Sequence, residues 1–243
     1  MQRYFITEEN FKENIIRGDD VFHIYKVMRN KVNDLIEICF NECGYIAKIT
    51  EISSDLVKYE IVSQIDKKTS NKPKITLVQG LAKGDKNDDI IKHSTELGVD
   101  NIILISMKRS IVKISNDKVE NKIIRFNKIA KEAAEQSHRF SVPNVSLINN
   151  FNELNNDFYD LKLLLDEEEA KKIDGLLLNK IDIINFKNIA FVIGPEGGID
   201  NNERELLIKK GFIPISLGDN ILRTETASLA FLAMLNYKLM EGK

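Results

Sequence analysis

The spacing of apolar residues along the chain separates an N-terminal part from the remainder. In the first 70 or so residues the apolar runs are short, at 35–40, 44–49 and 56–61. The first two runs are separated only by Asn41-Glu42-Cys43, which is a hairpin-length connection. Several short strands at this spacing predict a small β-barrel.

A polar segment at 66–73 ends this part of the chain. Its residues, Asp-Lys-Lys-Thr-Ser-Asn-Lys-Pro, are typical of a linker. The sequence therefore predicts two domains, at 1–70 and 73–243.

Beyond Pro73, continuous apolar runs alternate with helical patterns. Helices are predicted at 85–97 and 117–138, and strands at 75–78, 102–105, 161–165, 189–193 and 213–217. Continuous apolar strands alternating with helices predict an α/β domain with a parallel sheet covered on both faces. The last predicted helix, 226–240, is apolar nearly all round, so it is expected to be buried in its domain or in a subunit interface.

Composition narrows the class of protein. The chain has 243 residues, of which 43% are hydrophobic, and it has two cysteines and three histidines. These counts favour a globular protein in a reducing cytoplasm, and they argue against a disulfide framework or a metal site. No run of about 18 apolar residues is present, so neither a membrane span nor a signal peptide is expected.

Charge is informative only locally. The formal net charge is −2, which excludes a globally basic nucleic-acid binder. Residues 107–139, however, hold nine Lys or Arg against four Asp or Glu. This basic segment is either a local phosphate-binding face or, on charge alone, a solvated helix face.

Two glycine-bearing segments follow predicted strands. Gly194-Pro195-Glu196-Gly197-Gly198 precedes a helix that begins near Asp200 or Asn201, both good N-cap residues. The segment from Leu217 to Ala227 also leads from a strand into a helix, and Arg223 lies at that junction. Ligands of open α/β sheets bind beyond the carboxyl ends of the strands. Each segment taken alone is equally compatible with a tight turn that binds no ligand.

The same segments resemble the cofactor region of the SPOUT methyltransferases. The resemblance extends to the RsmE family within them, through motifs in both predicted domains. These motifs are Arg3-Tyr4-Phe5, residues 23–29 (His-Ile-Tyr-Lys-Val-Met-Arg), 79–86 (Gln-Gly-Leu-Ala-Lys-Gly-Asp-Lys), 95–99, Arg109-Ser110 and 132–137 with Arg139 and Pro143.

The resemblance implies a fold, an activity and an assembly. The fold would be a SPOUT-type α/β knot, with a deep trefoil knot and a parallel sheet, preceded by a PUA-like β-barrel. The activity would be methylation of ring nitrogen N3 of a uridine in small-subunit (16S) ribosomal RNA, free or in the assembled small subunit, with S-adenosylmethionine as cofactor. Family members are homodimers, and the apolar final helix is a suitable interface element of the knot domain.

The resemblance also implies roles for individual residues. Arg223 is expected to stabilise the uracil oxygens, and Glu225 or Glu196 to act as a base or to orient Arg223. A structural role of both glutamates, in capping or pairing, is an equally open alternative. The cofactor is expected to contact Leu165, Ile193, Gly194, Pro195, Glu196, Gly197, Gly198, Leu217, Gly218, Ile221, Leu222, Arg223 and Thr226.

RNA is expected to contact both domains. The candidate positions are Arg3, His23, Arg29, Lys83, Arg109 and Arg139, each of which is also compatible with an ordinary surface role. No metal ligand is expected.

Two alternatives stay open. One is a SPOUT methyltransferase for another RNA position; a ribose methyltransferase is disfavoured, because residues 222–227 lack the Asn-rich sequence of those relatives. The other is an RNA-binding ribosome-assembly factor that has kept the fold without catalysis.

Overall fold

The fold is seen in a computed structural model that describes residues 1–66, 72–114, 116–170, 172, 177–183 and 185–241. The chain forms two compact units, Met1–Ser70 with Ala134–Val142, and Asn71–Ala133 with Pro143–Lys243. Most of the predicted linker, 67–71, lies outside the described residues.

The first unit also includes residues 134–142, which lie outside the predicted first domain of 1–70. Side chains of the N-terminal strands hold this segment. Arg3 donates through Nη1 to the Arg139 carbonyl at 2.9 Å, and Cys39 Sγ lies 3.4 Å from the Phe140 carbonyl oxygen. Such contacts between residues more than 100 positions apart cannot be found from local periodicity.

The first unit is built on a five-stranded sheet of order β1-β3-β4-β5-β2. β1 pairs with β3 in parallel, whereas the other pairs are antiparallel. The elements are β1 Arg3–Phe5, α1 Glu8–Glu13, β2 Ile15–Ile16, α2 Asp19–Phe22, a π-helix His23–Val27, β3 Leu35–Phe40, β4 Cys43–Ile52 and β5 Val57–Ile65.

The predicted β3–β4 hairpin is present with a tighter turn than expected. Phe40 pairs with Cys43, which leaves Asn41 and Glu42 as a two-residue turn with φ of 48° and 58°. Positive φ at both turn positions matches the right-handed twist of the flanking strands. The two edge strands and all the helices of this unit were not predicted, because each has too few residues to show a period.

The second unit is an α/β structure with a six-stranded sheet of order β11-β9-β10-β6-β7-β8, in which every pair is parallel. Its elements are β6 Lys74–Gly80, α3 Lys86–Glu96, β7 Asn101–Ile105, α4 Asn116–Gln136, β8 Asn144–Ile148, β9 Leu161–Leu165, α5 Glu167–Ala170, β10 Asn188–Ile193, α6 Asn201–Lys209, β11 Ile213–Ile215 and α7 Thr224–Glu241.

The strand order decides where the site lies. The chain leaves one edge of the sheet at β8 and continues at β9, so that β9 and β10 come to lie between β11 and β6. The carboxyl ends of these four strands therefore share one edge of the sheet, and the two glycine-bearing segments start there.

One face of the final helix, α7, is buried, and the opposite face is exposed. Phe231, Leu232 and Leu235 are fully buried, and the Phe231 ring lies 4.4 Å from that of Phe191 on β10. Met234, Tyr237 and Met240 are exposed. The described helices include none that is long and apolar enough to cross a membrane.

Candidate functional site

A cavity of about 530 Å³ lies at the carboxyl ends of β6, β9, β10 and β11. Most of the predicted cofactor residues line it, namely Leu165, Ile193, Gly194, Pro195, Glu196, Gly198, Leu217, Gly218, Ile221, Leu222 and Arg223. Gly197 and Thr226 do not line it, and both are exposed. The cavity is therefore formed largely by the two segments that the sequence singled out.

The first glycine loop, Gly194–Gly198, is closely surrounded. A Cβ atom added to Gly194 would lie 2.7 Å from Ile199 Cγ1, and one added to Gly197 would lie 3.1 Å from Arg109 Cβ. One added to Gly198 would meet the Glu167 carboxylate at 2.7 Å, and Gly198 also has a φ of 71°. The glycines allow neighbouring segments to approach this loop more closely than any side chain would permit.

The second glycine loop, residues 217–222, is held by its own hydrogen bonds. Ser216 Oγ donates to the Gly218 carbonyl at 2.9 Å and accepts from the Gly218 amide at 3.0 Å. Gly218 has a φ of 127°, but nothing lies within 4 Å of where its Cβ would be. Ile221, which lines the cavity, is 65% exposed.

A buried set of hydrogen bonds, here called the Thr224 link, connects these segments. Thr224 Oγ1 donates to the Gly194 carbonyl at 2.6 Å and accepts from Gln79 Nε2 at 2.8 Å. Thr224 and Gln79 are both buried. The end of β6, the first glycine loop and the start of α7 are thereby joined.

Lys86 joins the same segments through charge, in an arrangement called the Lys86 bridge. Its Nζ lies 3.3 Å from Glu196 Oε1 and 3.1 Å from Glu225 Oε2, the latter without the direction of a good hydrogen bond. Glu196 Oε1 also accepts from the Lys83 amide at 3.1 Å.

This arrangement keeps Lys86 and Glu196 charged. Burial raises the pKa of Glu196, but the backbone amides of Glu196 and Lys83 and the Lys86 ammonium outweigh it and lower the pKa below its ordinary value. The pKa of Lys86 is raised, chiefly by Glu225 and also by Glu196, against an opposing effect of burial.

The predicted pairing of Arg223 with a glutamate is not seen. Arg223 lines the cavity and is exposed, and among the described residues its guanidinium has no ionic partner. Glu196 and Glu225 contact Lys86 instead. The structure therefore does not show either glutamate orienting Arg223, and a role of either one as the base stays a prediction.

Residues that sequence reasoning missed also line the cavity. Lys86 is one of them. Another pair is Asp166 and Arg204, whose Oδ2 and Nε atoms are 2.6 Å apart, with the Asp166 side chain only 6% exposed. Asp166 follows β9 directly, and that position at a strand end was the available signal.

The described residues contain no group of three His, Cys, Asp or Glu side chains that could hold a metal ion.

Comparison with known proteins identifies the family. A model described as an RNA methyltransferase domain matches residues 69–236, and one described as an RNA methyltransferase PUA domain matches residues 16–62. The ribosomal RNA small subunit methyltransferase E of Bacillus subtilis is 36% identical over 98% of this chain and 97% of its own length. The chain belongs to the RsmE family of RNA methyltransferases.

Two solved methyltransferase structures agree with the fold. The ribosomal RNA small subunit methyltransferase E of Neisseria gonorrhoeae, solved with S-adenosyl methionine bound, superposes with a TM-score of 0.84 at 27% identity, covering 98% of this chain and 97% of that one. A Legionella pneumophila protein in complex with the bound cofactor SAM gives 0.81 at 26% identity, over 92% and 90%. The predicted fold class, a SPOUT-type α/β knot with a PUA-like N-terminal domain, is confirmed.

The candidate RNA contacts of this RsmE-family chain differ in accessibility. In the second unit, Lys83 and Arg109 are exposed and line the cavity, and Arg109 Nη1 donates to the Gly197 carbonyl at 3.2 Å. In the first unit, Arg29 is exposed, and His23 Nδ1 lies 3.0 Å from the Tyr4 hydroxyl. Arg139 is half-buried.

Arg3 does not fit the predicted role. It is only 3% exposed, and its guanidinium contacts Glu37 at 2.7 Å and lies over the Phe140 ring. A buried, paired arginine is not available to phosphate. Arg3 is therefore corrected to a residue that stabilises the first unit.

Proposed function

We propose that this chain transfers the methyl group of S-adenosylmethionine to ring nitrogen N3 of a uridine in small-subunit ribosomal RNA. The observation that carries the proposal is the cavity between the two glycine loops, which lies inside the region matched by the RNA methyltransferase domain. The choice of N3 of uridine rests on the family resemblance, and the ribosomal RNA substrate on the named relatives.

The residues present fit this cofactor. A volume of about 530 Å³ is within the usual range for a site that encloses a small organic ligand. Gly198 and Gly218 leave backbone accessible at its wall, and Leu165, Ile193, Leu217 and Leu222 supply apolar surface for a nucleoside. When bound, S-adenosylmethionine supplies an activated methyl group on a sulfonium.

The protein's own contribution is alignment and charge. The base nitrogen must lose a proton, for which Glu196 or Glu225 is the proposed acceptor, so negative charge develops on the uracil oxygens as the methyl group is transferred. Arg223 is exposed at the cavity without an ionic partner among the described residues, so its guanidinium is free to donate hydrogen bonds to these oxygens. Both glutamates form ion pairs with Lys86.

Lys83 and Arg109 beside the cavity, and His23, Arg29 and Arg139 in the first unit, are the proposed RNA contacts. A ribosomal RNA substrate, free or in the small subunit, also places the reaction in the cytoplasm. Neutralising Lys83, Arg109 and Arg29 together should weaken RNA binding and flatten its salt dependence, since fewer counterions are released. An unaltered salt slope would remove these residues from the interface.

A homodimer through α7 is part of the proposal. Met234 and Tyr237 are 39% and 65% exposed on a helix whose other side is buried, and with Ala233 and Leu178 they border a shallow apolar depression. The Tyr237→Asp variant should have a lower sedimentation coefficient than the wild type, closer to that of a monomer. A wild type that sediments as a monomer would contradict the assembly.

Two measurements test the activity. Calorimetry should detect S-adenosylmethionine binding, and mass mapping of ribosomal RNA should find one methyl group lost when the gene is deleted. Arg223→Ala should keep binding and lose about a hundredfold or more in turnover. Absence of cofactor binding would favour an assembly factor, and a methyl group mapped elsewhere would favour another RNA position.

A further inference from the structure

Three segments of the second unit meet at the cavity, and two separate sets of contacts join them. The segments are the end of β6 with the start of α3, the first glycine loop and the start of α7. The Thr224 link joins them through neutral groups, and the Lys86 bridge joins them through charges. The start of α7 contributes one residue to each set of contacts, because Thr224 belongs to the Thr224 link and the next residue, Glu225, to the Lys86 bridge.

The two sets differ in their surroundings. Thr224 and Gln79 are 6% and 0% exposed, and of the two only Thr224 borders the cavity. The side chains of Lys86, Glu196 and Glu225 are 27%, 19% and 24% exposed, and Lys86 and Glu196 line the cavity. The buried neutral link is therefore suited to stabilising the fold, and the bridge to shaping the wall of the site.

The position of Lys86 on its helix is electrostatically unfavourable by itself. Lys86 is the first residue of α3, where the positive end of the helix dipole disfavours a cation. Two carboxylates from other segments offset that effect, and the raised pKa of Lys86 follows from them. A surface lysine with no structural role would gain nothing from this position.

We propose that Lys86 is a positioning residue, which sets the separation of the first glycine loop and the start of α7 by holding Glu196 and Glu225 on one ammonium group. The inference rests on the proposed function, because the two segments it positions form the proposed cofactor site. Without Lys86, the carboxylates of Glu196 and Glu225 would lose their shared cation and would repel each other. The loop and the helix start would then move apart, and the cavity would open.

The test compares variants by S-adenosylmethionine affinity, from calorimetry, and by thermal unfolding. Lys86→Met should weaken binding by about tenfold and lower the unfolding temperature less than Thr224→Val does, because the Thr224 link stays intact. Lys86→Arg should restore binding to within about threefold, since a guanidinium also bridges two carboxylates. Lys92→Met, on an exposed position of the same helix, is the matched control and should bind as the wild type does.

A double variant separates positioning from a general structural effect. If repulsion between the glutamates opens the site, Lys86→Met with Glu225→Gln should bind more tightly than Lys86→Met alone. Equal affinity of Lys86→Met and wild type, or a double variant weaker than the single one, would overturn the role of Lys86. A wild type that does not bind S-adenosylmethionine would instead overturn the proposed function, and this inference with it.

Discussion

The two glycine loops of the cavity use the same residue type for different physical reasons. In the first loop the glycines provide space, because a Cβ on Gly194, Gly197 or Gly198 would lie within 3.1 Å of an atom of another residue. In the second loop Gly218 has open space around it, and what it provides is a φ of 127°. One loop is fixed by its neighbours and the other by its own backbone conformation.

The difference teaches how the cavity is assembled. The first loop is an integral part of the core, with Gly194 and Pro195 buried and Gly80 of β6 packed against them. The second loop is closed by Ser216 and carries the exposed Ile221. Changes near the first loop should therefore affect both folding and binding, whereas changes in the second should affect mainly binding.

The largest effect is expected for Gly80→Ala. A Cβ at this buried position would lie 2.6 Å from both the backbone nitrogen and Cδ of Pro195, so the first glycine loop must move. Overpacking of this kind costs about 1–3 kcal/mol, and we expect a value near the upper end. Urea unfolding and calorimetry with S-adenosylmethionine should show lower stability and at least about tenfold weaker binding.

Wild-type stability in Gly80→Ala would contradict the view that the first loop is fixed by its neighbours. Weaker binding at unchanged stability would mean that the loop shifts freely, as the second loop is expected to do.

A smaller effect is expected for Gly218→Ala. No atom obstructs the new Cβ, but an alanine at a φ of 127° is strained by about 1–2 kcal/mol. The strain is relieved if residues 217–222 rearrange, so cofactor affinity should fall more than the free energy of unfolding. Calorimetry and urea unfolding measure the two quantities.

Gly98→Ala is the matched control for Gly218→Ala. Gly98 also has a positive φ, 92°, with open space around it, but it does not line the cavity. It should lose stability and keep wild-type cofactor affinity. If Gly98→Ala and Gly218→Ala lose cofactor affinity equally, backbone strain anywhere in the unit weakens binding, and the second loop has no special role.

The sequence predicted most of the sheet of the second unit, and the reason is periodicity. Continuous apolar runs at 161–165 and 189–193 match β9 Leu161–Leu165 and β10 Asn188–Ile193 closely, because strands buried on both faces contain almost no polar residues. β8 Asn144–Ile148 was missed. It is an edge strand with only Val145 fully buried, so its apolar pattern is weak.

The two parts of the site differed in how well they could be predicted. The glycine loops were found because they follow strands and match a family pattern. The Lys86 bridge was not predicted, because its three residues, Lys86, Glu196 and Glu225, are far apart in the chain. The segments that carry Lys86 and Glu196 come side by side only because β6 pairs in parallel with β10. Arg3 was assigned to the surface because arginine usually lies there, and its contacts with the 134–142 segment could not be foreseen.

A third prediction concerns pH and the first loop. The pKa of Glu196 is lowered in the folded protein, so its contribution to stability is fully present above the ordinary value of 4.5 and is lost as the pH falls through the lowered value. The stability difference between wild type and Glu196→Gln should therefore be larger at about pH 7 than at about pH 4. Urea unfolding at both pH values measures it.

A constant difference between wild type and Glu196→Gln at the two pH values would mean that the charge of Glu196 does not stabilise the fold. In that case the packing of Gly194, Gly197 and Gly198 alone would account for the fixed position of the first loop.

The smallest effect is expected for Thr226→Ala, at a position that the sequence assigned to the cofactor. Thr226 is exposed on α7 and does not line the cavity, so stability should change by no more than about 0.5 kcal/mol and affinity should not change.

Thr224→Val, two residues earlier, is the matched contrast. It removes the donor to the buried Gly194 carbonyl and one of the two acceptors of Gln79 Nε2, and should cost about 1–3 kcal/mol. If Thr226→Ala weakens S-adenosylmethionine binding in calorimetry while Thr224→Val does not, the start of α7 presents a different face to the cofactor, and both glycine loops would have to be reassigned around it.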